Sequence, residues 1–149
     1  MTPSARRLRE HVRDLAKNMG VTVVYVGSLG GVWGQAQVHP GDIYEQKRKR
    51  LVLLSHRPVT PMTYMVALHE LGHCVPGDGW SADLTLDREA AAWEWAIEQS
   101  ILAKELSSHH ARNFLRPYRE KRDLSRSEYF ERVYTRVTRN SRPHRQRKR

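Results

Sequence analysis

The stretch VALHELGHCVP, Val66 to Pro76, constrains this chain more tightly than any other. His69 and His73 stand four residues apart, and at about 3.6 residues per turn that spacing stacks both imidazoles on one helix face. They share that face with Met62, Met65 and Val66, so the helix must bury it against a second element. The helix opens at Thr60-Pro61, with Thr60 as N-cap and Pro61 at the first helical position. It is expected to run to about Cys74, where Val75-Pro76-Gly77 stops it.

His-Glu-x-x-His on a helix offers two neutral imidazoles to one metal ion, typically zinc, and sets the glutamate beside the open coordination position. From there Glu70 can take a proton from a water that the metal activates and hand it to a leaving amine. Chance produces so short a pattern too, as does a pair of core histidines satisfied by backbone or carboxylate partners. A third ligand is the independent test, because a catalytic zinc keeps three protein ligands.

Four carboxylates lie on or beside the next predicted helix, Leu86 to Leu106: Asp87, Glu89, Glu94 and Glu98. Turning about 100° per residue from Glu89, the apolar Ala92, Trp93, Ala96 and Ile97 all fall within about 80° of it. Asp87, Glu94 and Glu98 fall roughly opposite. Only Glu89 enters the inward stripe, where a carboxylate is costly unless paired or bound to a cation. The competing reading of Glu89 is a first-turn acid that favours the helix dipole while its head reaches solvent.

Around this pair the chain reads as α+β. Leu8, Val12, Leu15 and Met19 recur at helical spacing between Ser4, an N-cap, and Gly20, a stop. Val21 to Gly27, Val32 to Val38 and Arg50 to Ser55 read as strands of a small, mostly antiparallel sheet, with a reversal at the GSLGG turn and another at HPGD. The run KRKR, Lys47 to Arg50, is a solvated loop or edge guard in preference to a binding patch. Past the motif helices, a helical segment is expected to break at Pro117. Ser125 and Glu128 then form a capping-box pattern ahead of Phe130, Val133, Tyr134 and Val137.

Charge divides the chain where the apolar patterning does not. Residues 1–110 hold 12 Lys+Arg against 12 Asp+Glu, whereas residues 111–149 hold 14 against 4, so the whole net charge of +10 lies in the last quarter. This divides the chain into a body over 1–107 that carries the His-Glu-x-x-His motif, a helical extension over 108–139 and a basic disordered tail over 140–149. Arg132, Arg136, Arg139 and residues 142–149 suit an anionic partner such as nucleic acid; a solubilising tail is the equal alternative. The lone Cys74 excludes an internal disulfide, and the charged N-terminus lacks the apolar core of a signal peptide. A cytoplasmic protein with no membrane partner is the expectation.

Several residues near the motif admit an ordinary role first. Cys74 points about 100° away from His73 and reads as a small core residue. Trp80 anchors a loop or lines a cleft. His109-His110, Tyr64 and Tyr118 are each able to act as an oxyanion stabiliser, the sequence does not choose among them, and a solvated helix cap is the better reading of each.

The order of helix, small sheet, HELGH helix, and a helix bearing Glu89, Ala92, Trp95 and Ala96 in the pattern Glu-x-x-Ala-x-x-aromatic-Ala resembles the ImmA/IrrE-like, gluzincin-type zinc metallopeptidases of bacteria, phages and mobile elements. The resemblance covers roughly residues 5–106. It implies zinc held by His69, His73 and Glu89, Glu70 as general base, and hydrolysis of peptide bonds in a regulatory protein such as a repressor. One position departs: where the family carries Asn or Asp, this chain has Trp93. The alternative from another class is a nucleic-acid-binding regulator in which an inactive or structural zinc-peptidase scaffold carries the basic C-terminal segment.

Overall fold

The computed structural model describes residues 2–39, 49–75, 85–120 and 128–140. Five helices and three strands follow in the order α1 (Ala5–Met19), β1 (Thr22–Tyr25), β2 (Gly34–His39), β3 (Lys49–Leu54), α2 (Pro61–Gly72), α3 (Thr85–Gln99), α4 (Lys104–Glu120) and α5 (Glu128–Asn140). The α+β class holds. Trp80, Ser125, the Pro40–Asp42 part of the HPGD turn and the tail beyond Asn140 lie outside the described residues, as do Lys47 and Arg48, while Lys49 and Arg50 open β3. Among the described residues, no helix is long and apolar enough to cross a membrane.

Local chemistry sets the helix ends. The Ser4 side chain accepts from the Arg7 N–H, and Gly20 closes α1 at φ 68°, where a side chain would be strained. At Thr60 the capping box is reciprocal: the Thr63 N–H donates to the Thr60 hydroxyl at 3.2 Å, and the Thr60 N–H donates to the Thr63 hydroxyl at 3.0 Å. The α-helix α2 ends at Gly72 rather than Cys74, and His73 serves as its C-cap, its N–H still bonded to the His69 carbonyl.

The sheet is mixed rather than mostly antiparallel. Its strand order is β1-β3-β2, with β1 parallel and β2 antiparallel to β3. The chain does reverse after β1, but β2 does not pair with it, because β3 inserts between them. Val52 and Leu54 of this central strand are fully buried at period two. Among the described residues, β1 and β2 are therefore the outer strands.

The helix α2 is the centre of the molecule. Every residue from Thr63 to Leu71 is buried, so it has no solvent face, although Met62, expected with the buried set, is 36 % exposed. It packs on α1, on β2 and β3, and on α3 and α4. One apolar cluster runs from Leu8 of α1 to Val137 of α5, so α4 and α5 are built onto the same core as the preceding elements, and α4 begins before residue 108.

Two helix expectations are corrected. The predicted single helix from Leu86 to Leu106 is two: α3 stops at Gln99, and α4 starts at Lys104. The break is held by side chains that capture backbone donors. The Ser100 hydroxyl accepts from the Leu102 N–H at 3.1 Å and from the Ser107 hydroxyl at 2.8 Å, and the Ile101 N–H donates to the Tyr64 hydroxyl at 3.1 Å. Pro117, expected to end a helix, lies inside α4. Its own ring is exposed, and burial of Ala111 and Leu115 on one side of α4 outweighs a local penalty of about 3 kcal/mol.

Tyr64 also meets Nδ1 of His11 at 2.7 Å. Having accepted the Ile101 N–H, the phenol has its proton left for a neutral imidazole, and burial pushes the His11 pKa below its usual 6.5. A depressed histidine means that the unfolded chain binds the proton more readily. The contribution to stability is then complete above pH 6.5 and lost as pH falls below it. His69, whose pKa is raised, acts the other way over the same window, so the test is a difference: between about pH 7.5 and about pH 5.5 the urea midpoint of His11→Gln should fall less, or rise more, than that of wild type, and an unchanged slope would refute the assignment.

Candidate metal centre

The motif side chains leave α2 on the side facing α3. Nε2 of His69 and Nε2 of His73 are 3.1 Å apart. The Glu89 carboxylate reaches across from the second turn of α3, with Oε2 at 2.9 Å from Nε2 of His69 and Oε1 at 3.1 Å from Nε2 of His73. The inward stripe expected from helical geometry is observed: Ala92, Trp93 and Ala96 are buried beside Glu89, Glu98 is exposed, and Glu94 pairs with Arg136 of α5.

The approach of α3 to α2 depends on Gly72. A Cβ built there would lie 2.7 Å from the Ala92 carbonyl oxygen and 3.0 Å from its Cα. Backbone atoms cannot swing aside as a side chain can, so the glycine inside HELGH sets how near the Glu89 helix can come. Cys74 is turned away as expected, buried, with its thiol donating to the Glu70 carbonyl at 3.6 Å and its pKa pushed up to about 11 by burial.

Glu70 occupies the other flank. Its Oε1 lies 3.4 Å from Nδ1 of His69, the ring nitrogen that does not face His73. Its stem rests on β2 at Gly34, where an added Cβ would sit 2.6 Å from the Glu70 Cγ. His69, Glu70 and His73 thus form a group able to hold a metal ion, their ligand atoms all within 4.8 Å of one another. Glu89 is nearer still to the Nε2 pair, and by distance it, rather than Glu70, completes the trio at that junction.

The electrostatics of the metal-free cluster follow from this packing. Burial opposes a charge on His69, but hydrogen bonds to Glu70 and Glu89 outweigh it and raise the imidazole pKa to about 9. Burial likewise opposes ionisation of Glu89, and the hydrogen bonds to His69 and His73 prevail, holding its carboxyl well below the usual range. The carboxylate charge is therefore present and aimed at both rings across the neutral pH range.

A cleft of about 830 Å³ opens over the cluster, its walls formed by β2, α2, α3 and α4. Of the four candidate oxyanion stabilisers, His110 is half-buried against the His109 ring. Tyr118 lines the cleft, whereas Tyr64 is committed to His11 and Ile101, and His109 is exposed beside Asn113. Burial first, and then the charges of Glu89 and Glu70, raise the Tyr118 pKa, so its hydroxyl keeps its proton.

Trp33, Gly34, Trp95 and Phe114 also line the cleft, and none stands out in the sequence as a functional residue, although Trp95 belongs to the family pattern. Gly34 and Phe114 carry no local signal, since their importance arises from segments brought together by folding. Gly72 and Ala92 do carry one: small residues at facing positions mark a close helix contact. Comparison with protein-family models, curated proteins and solved structures yields no match to this chain.

Proposed function

We propose that this chain is a zinc-dependent endopeptidase of the ImmA/IrrE-like kind. The observation that carries the reading is the meeting of His69, His73 and Glu89 at separations of 2.9–3.1 Å beside a cleft that also holds Glu70. Two nitrogens and a carboxylate are a common catalytic zinc set, and ligands at tetrahedral positions around that ion stand about 3.3 Å apart, so the cluster fits. Nε2 of each histidine and the Glu89 carboxylate would hold the metal. Bound zinc supplies Lewis acidity, which polarises a peptide carbonyl and makes water a nucleophile at neutral pH.

The chain's own groups supply the rest. Glu70 takes the proton of the attacking water on its carboxylate and returns it to the amine that leaves. Trp33 and the start of β2 at Gly34, Gln35 and Ala36 run along the cleft, where an extended peptide can lie beside the strand. Tyr118 is the protonated donor available to the negative charge that develops on the carbonyl oxygen. The resemblance supports a regulatory protein, such as a repressor, as substrate.

Metal analysis of the purified chain tests the reading. Wild type is expected to carry one equivalent of zinc, and Glu89→Ala to lose most of it on dialysis. A wild-type chain free of metal after growth in zinc, and refusing it in titration, would end the proposal.

A second reading, nucleic-acid binding, is favoured by α5, whose Arg132, Arg136 and Arg139 stand exposed opposite the buried Phe130, Val133 and Val137. Because α5 is part of the core, deleting it would confound binding with unfolding. Arg132→Gln with Arg139→Gln is the cleaner change, expected to weaken salt-sensitive binding to a DNA or RNA duplex; binding unaffected by salt or by these changes would remove this reading.

A further inference from the structure

Trp93 is fully buried, yet it does more than fill the core. Its ring lies on the imidazole of His69, centroids 4.2 Å apart and planes 8° from parallel. It also stacks on Phe114 of α4, at 5.2 Å and 18°. The three rings form a column that runs from α4 through α3 to the motif helix.

The orientation of His69 needs such a support. A metal-binding histidine is normally fixed by a hydrogen bond from its second ring nitrogen to a carboxylate, a carbonyl or water. Here that nitrogen, Nδ1, has only a long hydrogen bond, 3.4 Å, to Glu70, the carboxylate that the proposed reaction needs for proton transfer. A strong bond there would tie up the base. Stacking constrains the same ring without using a polar group, because a plane pressed on a plane resists tilting about the Cβ–Cγ bond.

We propose that Trp93 is the positioning residue for His69: its stack, backed by Phe114, holds the imidazole plane so that Nε2 stays turned toward His73 and Glu89. The proposal rests on the metal reading above for its consequence, though not for the stack itself. Phe114 belongs to α4, so this helix supports the metal centre as well as lining the cleft.

Zinc affinity, measured by competition with a chromophoric chelator, is the first test. Trp93→Leu should weaken zinc binding about tenfold, the scale found when a ligand's outer support is lost, and Trp93→Phe should stay within about twofold. Val12→Ala, a core change on α1, which packs on α2 and β1 but not on the helices of Trp93 and Phe114, is the control for general loosening and should leave affinity unchanged. Phe114→Leu, at a half-buried position, weakens the column with less risk to folding and should fall between.

The second readout needs no metal. In NMR spectra of the metal-free chain, the His69 ring protons should be shifted upfield by the indole, a shift retained in Trp93→Phe and lost in Trp93→Leu. Folded Trp93→Leu with wild-type zinc affinity, or His69 protons at unshifted positions in wild type, would overturn the proposal. A wild type that shows the shift but takes up no zinc would instead sink the metal reading and leave the stack standing.

Discussion

Glu70→Gln is expected to cut peptide-bond hydrolysis by about 10²–10⁴-fold, the usual contribution of a positioned acid–base group, while zinc content stays at the wild-type level. The amide is nearly isosteric but cannot take up a proton, so the substitution separates proton transfer from metal binding. The Glu70 side chain packs at the cleft, against Gly34 and beside His69, and the substituted amide should keep that place. Gly34→Ala reaches the same group indirectly. A Cβ 2.6 Å from the Glu70 Cγ and 3.1 Å from Oε1 must rotate the carboxylate away, and misplacement by about 1 Å can cost about 10²-fold. Its signature is a lower kcat at unchanged zinc content, read with any protein or peptide the chain cleaves. Full activity in Glu70→Gln would exclude Glu70 as the base.

Gly72→Ala has the second large expected effect, and it acts on distance rather than on chemistry. The added methyl meets the Ala92 carbonyl oxygen at 2.7 Å and its Cα at 3.0 Å, so α2 and α3 must separate. Overpacking of this kind costs about 1–3 kcal/mol. The separation also draws Glu89 away from His69 and His73, whose contacts of 2.9 and 3.1 Å tolerate little displacement. The expected result is a lower unfolding midpoint together with weakened zinc binding. Lower stability at undiminished zinc affinity would show that the helix contact does not govern the ligand geometry.

The central features of the site are legible in the sequence because they are helical. His69 and His73 share a face by arithmetic, and Glu89 is singled out by the same arithmetic on the next helix, where Glu94 turns to Arg136 of α5 and Glu98 to solvent; Asp87, expected outward, is instead half-buried, its Oδ1 shielded from solvent. The apolar faces of α1 and α5 are equally readable: Leu8 and Val12, and Phe130, Val133, Tyr134 and Val137, are all buried. Local rules also set the opening of α2 at Thr60-Pro61, where both halves of the capping box lie within four residues.

What the sequence leaves hidden depends on partners distant along the chain. The break between α3 and α4 is held in part by Tyr64, which lies 37 residues before Ile101, so no local pattern around Ser100 announces it. The place of β3 between β1 and β2 is a choice among pairings that periodicity alone leaves equal. Pro117 reads as a stop because propensity is local, whereas the burial of Leu115 that overrides it is not.

By itself, then, the sequence determined which residues share a helix face: His69 and His73 on one helix, Glu89 inward on the next. Spacing along a helix is a local property that a single chain segment carries in full. Only the tertiary structure decided that the Nε2 atoms and the Glu89 carboxylate meet at about 3 Å, that the Glu70 stem packs on Gly34 while the α3 backbone closes in on Gly72, and that Trp93, backed by Phe114, stacks on His69. Those are distances between separate elements, and they are fixed by how the elements pack.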